Sequence, residues 1–155
     1  MKARISLFLA SAGYIGLIPG APGTYASVAT TLAFFFVYKI RQRILPELHL
    51  SVLSVVTLIG VLVANEVSKA SGSDDPSVVV IDEVAGQLLT FLFVPVHFWN
   101  LAIGTVLFRI FDIWKPFPIR NLESLKNGVG IMADDIAAGI YANLLLHIIN
   151  RLLHW

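Results

Sequence analysis

The sequence predicts an all-α protein, a membrane-embedded bundle of about five to six apolar helices, some of them short or re-entrant. Three observations carry this. Hydrophobic residues make up 57% of the chain and charged residues only 14%, against roughly 25% charged in a soluble domain. Mean hydropathy is +0.80. The apolar residues fall in long runs between sparse charges, the pattern of membrane helices. A chain of 155 residues makes one domain, 1–155.

Six apolar segments follow in order. The first, 5–18, ends at the loop PGAPGT. It has a signal-peptide flavour, with Lys2 and Arg4 before apolar and then small residues. We expect it to be retained, because Pro19, Gly20 and Pro22 punctuate the place where a second apolar run begins. The second, 25–40, runs into the cations of KIRQR. The third is 48–64, followed by the polar stretch 65–77. The fourth, 78–94, is ended or kinked by Pro95. The fifth is 99–114, and the prolines of KPFPIRNLESLKNG (115–128) forbid a regular helix near 116–118. The sixth, 129–155, has an amphipathic far end suited to an interface. A spanning helix needs about 20 residues, so segments one, two and five are short for it.

Composition also excludes. There are no cysteines, hence no disulfide, zinc–thiolate site or thiol nucleophile. A net charge of +1 with no long basic stretch gives no reason to expect nucleic acid.

The charges are segregated. If segments two to six each cross once, PGAPGT, the 65–77 loop with the start of segment four, and the end of segment five with the start of segment six share one face. Asp74, Asp75, Asp82, Glu83, Asp112, Asp134 and Asp135 fall there, with Arg109, Lys115 and Arg120. KIRQR, Glu47, His49, His97 and His154 fall on the other. Carboxylates inside a bilayer are costly and face an interior or wet cavity. Several converging from three helix ends repel one another unless a cation sits among them. Oxygen-rich sites suit Mg²⁺, Mn²⁺ or Ca²⁺, and nearby Arg and Lys suit a phosphate. Together they make a metal-assisted phosphoryl site at a membrane surface.

Each motif also has a plainer reading. Asp82 and Glu83 in IDEVAG (81–86) point about 100° apart on a helix, so one can bind metal while the other binds a second metal or activates water; alternatively they are a helix-start doublet on the dipole. Asp134 and Asp135 in GIMADDIAAG (130–139) repeat that choice, and DEVAG (82–86) faintly echoes DDIAAG (134–139). Arg109, Asp112 and Lys115 are spaced i, i+3, i+6 on one helix face. Asp112 either binds metal while the cations hold phosphate, or simply pairs with one of them. Arg120, after two prolines, can swing back to the same site. Thr24 is a natural N-cap, in a loop that also offers N–H groups to phosphate. Asp74-Asp75-Pro76 reads as a solvated turn or part of the site.

These motifs carry a resemblance. PGAPGT at 19–24, Asp75, VVIDEVAG at 79–86, FRIFDIWKPFPIR at 108–120 and GVGIMADDIAAG at 128–139 run in order along nearly the whole chain. In this the chain resembles the phosphatidylglycerophosphatase A family, bacterial membrane lipid phosphatases. The resemblance implies an all-helical fold and Mg²⁺-dependent removal of the terminal phosphate of phosphatidylglycerophosphate, leaving phosphatidylglycerol. It implies site residues Thr24, Asp75, Asp82, Glu83, Arg109, Asp112, Lys115, Arg120, Asp134 and Asp135. Asp82, Asp134, Asp112 and Arg109 are the expected catalytic group, Asp82, Glu83, Asp134 and Asp135 the metal ligands, and Thr24, Arg109, Lys115 and Arg120 the phosphate binders. The apolar flanks of Asp82 and Glu83 are expected to hold acyl chains or to pack on other helices. Asn127 stands where a second glycine is expected before Gly128, which bears on the local turn. The expected location is the bacterial inner membrane, multi-pass, with the acidic face cytoplasmic. The rival reading is a small ion-coupled carrier with a carboxylate cation site, against which the acids gather at one face rather than stepping through the membrane.

Overall fold

The computed structural model describes residues 2–125 and 127–153; His154 and Trp155, at the end of the sixth segment, lie outside them. Seven helices and no strand occur among the described residues: α1 (Lys2–Ala10), α2 (Pro22–Arg41), α3 (Pro46–Ser71), α4 (Ile81–Thr90), α5 (Phe98–Trp114), α6 (Ile119–Glu123) and α7 (Gly128–Leu153). The all-helical expectation holds. α3 and α7, 26 residues each, are long and apolar enough to cross a membrane by length and composition. Outward positions on the long helices are apolar: Leu32, Phe36 and Ile40 on α2, Leu58 and Leu62 on α3, Leu144 and Ile148 on α7. Extensive exposed apolar surface of this kind marks a membrane or protein contact.

Segment one is helical only to Ala10. Ala12, Gly13 and Tyr14 take left-handed backbone, the Ser11 hydroxyl accepts from the Tyr14 N–H at 3.0 Å, and the chain turns. The Val80 N–H donates to the Ala10 carbonyl at 2.8 Å, pinning the end of α1 to the entrance of α4. The Ser6 hydroxyl donates to Glu66 on α3.

The fourth segment departs most from expectation. Its helix stops at Thr90, before Pro95 can end it, and at 10 residues spans about 15 Å, half a hydrocarbon core of about 30 Å. No residue of α4 is exposed. Residues 91–97 continue without regular helix, yet their carbonyls are not left bare. The Asn143 amide donates to the Thr90 and Leu92 carbonyls at 3.0 and 2.9 Å. His147 reaches the Leu92 carbonyl at 3.2 Å, and His49 the Leu88 carbonyl at 2.9 Å. Asn100 donates to the Pro95 carbonyl and to Asn150, both at 2.9 Å. Buried irregular backbone needs partners for its polar groups, and here α3, α5 and α7 supply them.

α4 packs most extensively on α7. The two meet at the glycines of the echoed motifs: a Cβ on Gly139 would lie 2.5 Å from the Gly86 carbonyl oxygen. Only residues without a side chain permit that approach. The prolines break the helix after Trp114 as expected, but α6, a single turn inside 115–128, was not anticipated. Asn127 takes the left-handed backbone (φ 64°), which Asn adopts more readily than most residues, so the turn into α7 forms without a second glycine.

Candidate active site

Asp82 and Glu83 occupy the first turn of α4, where the positive end of the helix dipole favours negative charge. Asp135 projects from the second turn of α7, brought alongside by the Gly86–Gly139 crossing. Asp82, Glu83 and Asp135 each offer a carboxylate oxygen, all within 4.8 Å of one another. Asp82 is 8% exposed and Asp135 3%. Asp82 Oδ1, Glu83 Oε2 and Asp135 Oδ2 are buried with no hydrogen-bond partner in the protein. Three buried anions with unspent oxygens are costly unless a positive charge is supplied. Oxygens sharing one small hard cation at about 2.1 Å stand up to about 4.2 Å apart, so slight side-chain rotation would bring these three onto a single ion. The all-oxygen donor set fits Mg²⁺ or Mn²⁺.

Two cations border this group. Arg109 Nη1, near the end of α5, lies 2.6 Å from Asp112 Oδ2 and 3.5 Å from Glu83 Oε1. Lys115 follows the last turn of α5, in left-handed backbone, and lies 2.7 Å from Asp134 Oδ2 and 3.1 Å from Glu123 Oε1. Burial alone would lower the Lys115 pKa. The hydrogen bonds and charges of Asp134 and Glu123 outweigh it and hold the ammonium above its ordinary value.

The start of α2 closes the site. A Cβ on Gly23 would overlap Glu83 and come within 3.1 Å of Arg109 Nη1, so the PGAPGT loop must carry glycine there. This sets the unbonded N–H groups of a helix N-terminus against the carboxylate–arginine pair. Thr24 is next to it in the first turn, and the N-cap is Ala21, which removes the plain capping reading of Thr24.

The predicted residues are thus sorted. Asp82, Glu83, Asp135, Asp112 and Arg109 converge, with Thr24 at their edge. Asp134 is held differently from Asp135: Oδ2 faces Lys115 at 2.7 Å and Oδ1 accepts from the Asp135 N–H at 3.0 Å. Asp75 lines a neighbouring cavity of about 450 Å³ with Asp74, Glu123, Asn127, Ile131 and Asp134. Partial burial raises the Asp75 pKa; Lys115 offsets part of this, and Glu123 and Asp112 add to it. Arg120 is exposed on α6 and makes no salt bridge among the described residues.

Two contributors, Glu123 and Gly23, escaped the sequence reading, and so did a buried polar residue on the same helix as Glu83, Gln87. Glu123 holds Lys115 from a helix too short to have a periodicity. Gly23 matters through what it leaves out. Gln87, one turn after Glu83, is fully buried with both amide atoms unpartnered, and nothing in its neighbours' sequence announced it.

A family model described as phosphatidylglycerophosphatase A matches residues 8–150. The chain belongs to that family. It is 36% identical over 143 residues to phosphatidylglycerophosphatase A of Escherichia coli K12, covering 90% of this chain and 79% of the relative. It is 35% identical over 137 residues to the Haemophilus influenzae protein of the same name, covering 87% and 82%. A Bacteroides thetaiotaomicron relative, provisionally named a phosphatidylinositol-3-phosphatase, is 36% identical over 137 residues, 84% of each chain. No solved structure matches the chain significantly. Family membership makes the protein a phosphatase and sets aside the carrier reading. The motifs that carry the resemblance are the segments that meet at the carboxylate group.

Proposed function

We propose that the protein hydrolyses the terminal phosphate of phosphatidylglycerophosphate, with Mg²⁺, to give phosphatidylglycerol and phosphate. The observation that carries this is the buried set Asp82, Glu83 and Asp135, with unspent oxygens beside Arg109, in a chain of this family. Two of the three relatives are named for that substrate and one for a phosphoinositide. Common to these names is a phosphate monoester on a lipid headgroup.

Asp82, Glu83 and Asp135 would hold the ion. Bound there, it would neutralise phosphoryl charge and act as a Lewis acid. Phosphoryl transfer asks mainly for alignment and charge stabilisation, and the chain's own residues supply both. The Arg109 fork suits two phosphate oxygens at once, while Asp112 orients it by an ion pair. The N–H groups at the start of α2 and the Thr24 hydroxyl would take a third oxygen. Lys115, kept charged by Asp134 and Glu123, adds positive potential on the side of the Asp75 cavity, which would admit the headgroup and water.

The reading places the protein in the bacterial inner membrane with several passes. The carboxylate end faces the cytoplasm, where a lipid phosphate is accessible to soluble metabolism. KIRQR then lies outside, against the usual excess of cations in cytoplasmic loops. Single cysteines introduced at Ser73 and Gln42, in a chain with no others, would decide orientation by labelling from each side.

The activity test uses purified protein in detergent, with phosphatidylglycerophosphate or phosphatidylinositol 3-phosphate, with Mg²⁺ or EDTA. Phosphate release from the first substrate that requires Mg²⁺ is expected. No release from either lipid would overturn the reading.

A further inference from the structure

A crevice of about 480 Å³ lies between α2 and α5, lined by Val28, Leu32, Phe35, Phe98, Ala102 and Val106 with almost no polar surface. Its two hydroxyl-bearing residues, Thr31 and Thr105, stand 2.7 Å apart, each also within hydrogen-bond distance of a backbone carbonyl of its own helix, Ser27 and Leu101. Both hydroxyl hydrogens are engaged within the protein, so the crevice has no free side-chain donor for a peptide or a sugar. The crevice lies along the same two helices that carry Thr24 and Arg109. Val28 is one turn below Thr24 on α2, and Val106 one turn below Arg109 on α5. At the head of the same seam Gly23 abuts Arg109. From Val28 to Phe35 the wall runs about 10 Å at 1.5 Å per residue. α4, whose apolar flanks the sequence offered for this purpose, has no exposed residue and can only pack on its neighbours.

We infer that the α2–α5 crevice holds one acyl chain of the lipid whose phosphate sits against Arg109 and Thr24. The inference rests on the lipid-phosphatase reading of the site. A hydrocarbon chain asks for apolar, concave surface without donors or acceptors, and this slot has that. In a bilayer or micelle the chain passes from hydrocarbon to hydrocarbon, so the slot contributes packing contact rather than transfer from water, and a short chain that cannot run its length forfeits that contact; the enzyme therefore prefers long-chain over short-chain substrates. An entire partner helix, about 10–12 Å across with its side chains, suits a broad face better than a slot between two packed helices.

Two variants fill the slot from opposite walls, Ala102→Trp and Leu32→Trp. Leu32 is 51% exposed, so its replacement leaves the core intact. The expected result is a fall of at least about tenfold in kcat/KM on a dioleoyl substrate, with the dihexanoyl substrate changed less than about twofold. Equal losses on both substrates, or none on either, would overturn the assignment. A second measurement does not depend on turnover: a phosphatidylglycerol with a diazirine at the acyl terminus is photolysed with the protein in micelles. Label should concentrate on 28–35 and 98–106 and fall in both Trp variants. Label spread evenly over the exposed helix faces, unchanged by Trp, would overturn the crevice. Concentrated label in a protein that releases no phosphate from any lipid would keep the crevice and remove the phosphatase reading. Disulfide dimers of Ala102→Cys, in a chain without other cysteines, would assign the crevice to a second copy instead.

Discussion

Lys115 Nζ lies 2.7 Å from Asp134 Oδ2, across the gap between the end of α5 and the second turn of α7. The pair divides two adjacent acids. Asp134 is neutralised by a cation of the chain itself, while Asp135, one residue on, turns to Asp82 and Glu83 with an oxygen unpartnered.

The first prediction follows from that division. Ligand binding to the folded state at about 100 times Kd stabilises it by about 2.7 kcal/mol. Mg²⁺ should therefore raise the melting temperature of the detergent-solubilised protein. Asp82→Asn and Asp135→Asn should abolish the rise and lower kcat by orders of magnitude. Asp134→Asn should keep most of the rise while losing activity through a displaced Lys115. If Asp134→Asn also abolished metal stabilisation, that would support the four-ligand set implied by the resemblance, Asp82, Glu83, Asp134 and Asp135.

The second prediction concerns alkaline pH. Lys115 has a folded pKa above its ordinary 10.5, so its partners favour the charged form. Stability from this group is fully present below the unfolded value and is lost only as pH rises through the folded one. The melting-temperature gap between wild type and Lys115→Met should stay flat from about pH 8 to about pH 10 and narrow above the unfolded lysine pKa of 10.5. A gap that closes by about pH 9 would mean that the ammonium is not held as the ion pairs indicate.

Much of the site was legible because charge is expensive in an apolar chain. Asp82, Glu83, Asp112, Arg109 and Asp135 stand out against their surroundings, and helix direction alone put them at one end. The division between Asp134 and Asp135 was not legible, since adjacent identical residues differ only in which neighbour each helix phase presents. Nor was the short α4. Apolar residues continue from Val78 to Val94, and hydropathy cannot register that Asn143, His147 and Asn100, far off in sequence, satisfy the carbonyls of 90–95. The echo of DEVAG and DDIAAG was visible, but its meaning was not: the two glycines are where the helices touch.

Arg109 supplies the third prediction. It bridges Asp112 and Glu83, so a structural role and a phosphate-binding role are both built in. Arg109→Lys keeps the charge and loses the planar fork. It should lower kcat/KM by at least about tenfold, equivalent to about 1.4 kcal/mol of transition-state stabilisation, with little change in melting temperature in the presence of Mg²⁺. Clear loss of stability with near-normal kinetics would return Arg109 to a purely structural pair with Asp112.

The last prediction tests whether the α4–α7 crossing sets the metal-binding geometry. A methyl on Gly139 would sit 2.5 Å from the Gly86 carbonyl oxygen and 3.1 Å from its carbon. Both are backbone atoms, so no side chain can turn aside; the helices must separate. Overpacking of this kind costs about 1–3 kcal/mol, and at about 2–4 °C per kcal/mol in a chain of this size Gly139→Ala should melt about 2–12 °C lower. Separation also moves Asp82 and Glu83 away from Asp135, so Mg²⁺ stabilisation should shrink and kcat fall together with it. Leu144→Ala is the control, about a turn and a half further along α7 at a residue 56% exposed: it should leave both metal stabilisation and kcat near wild type. Gly139→Ala with unchanged metal stabilisation and turnover would mean that the carboxylates keep their places without the close crossing.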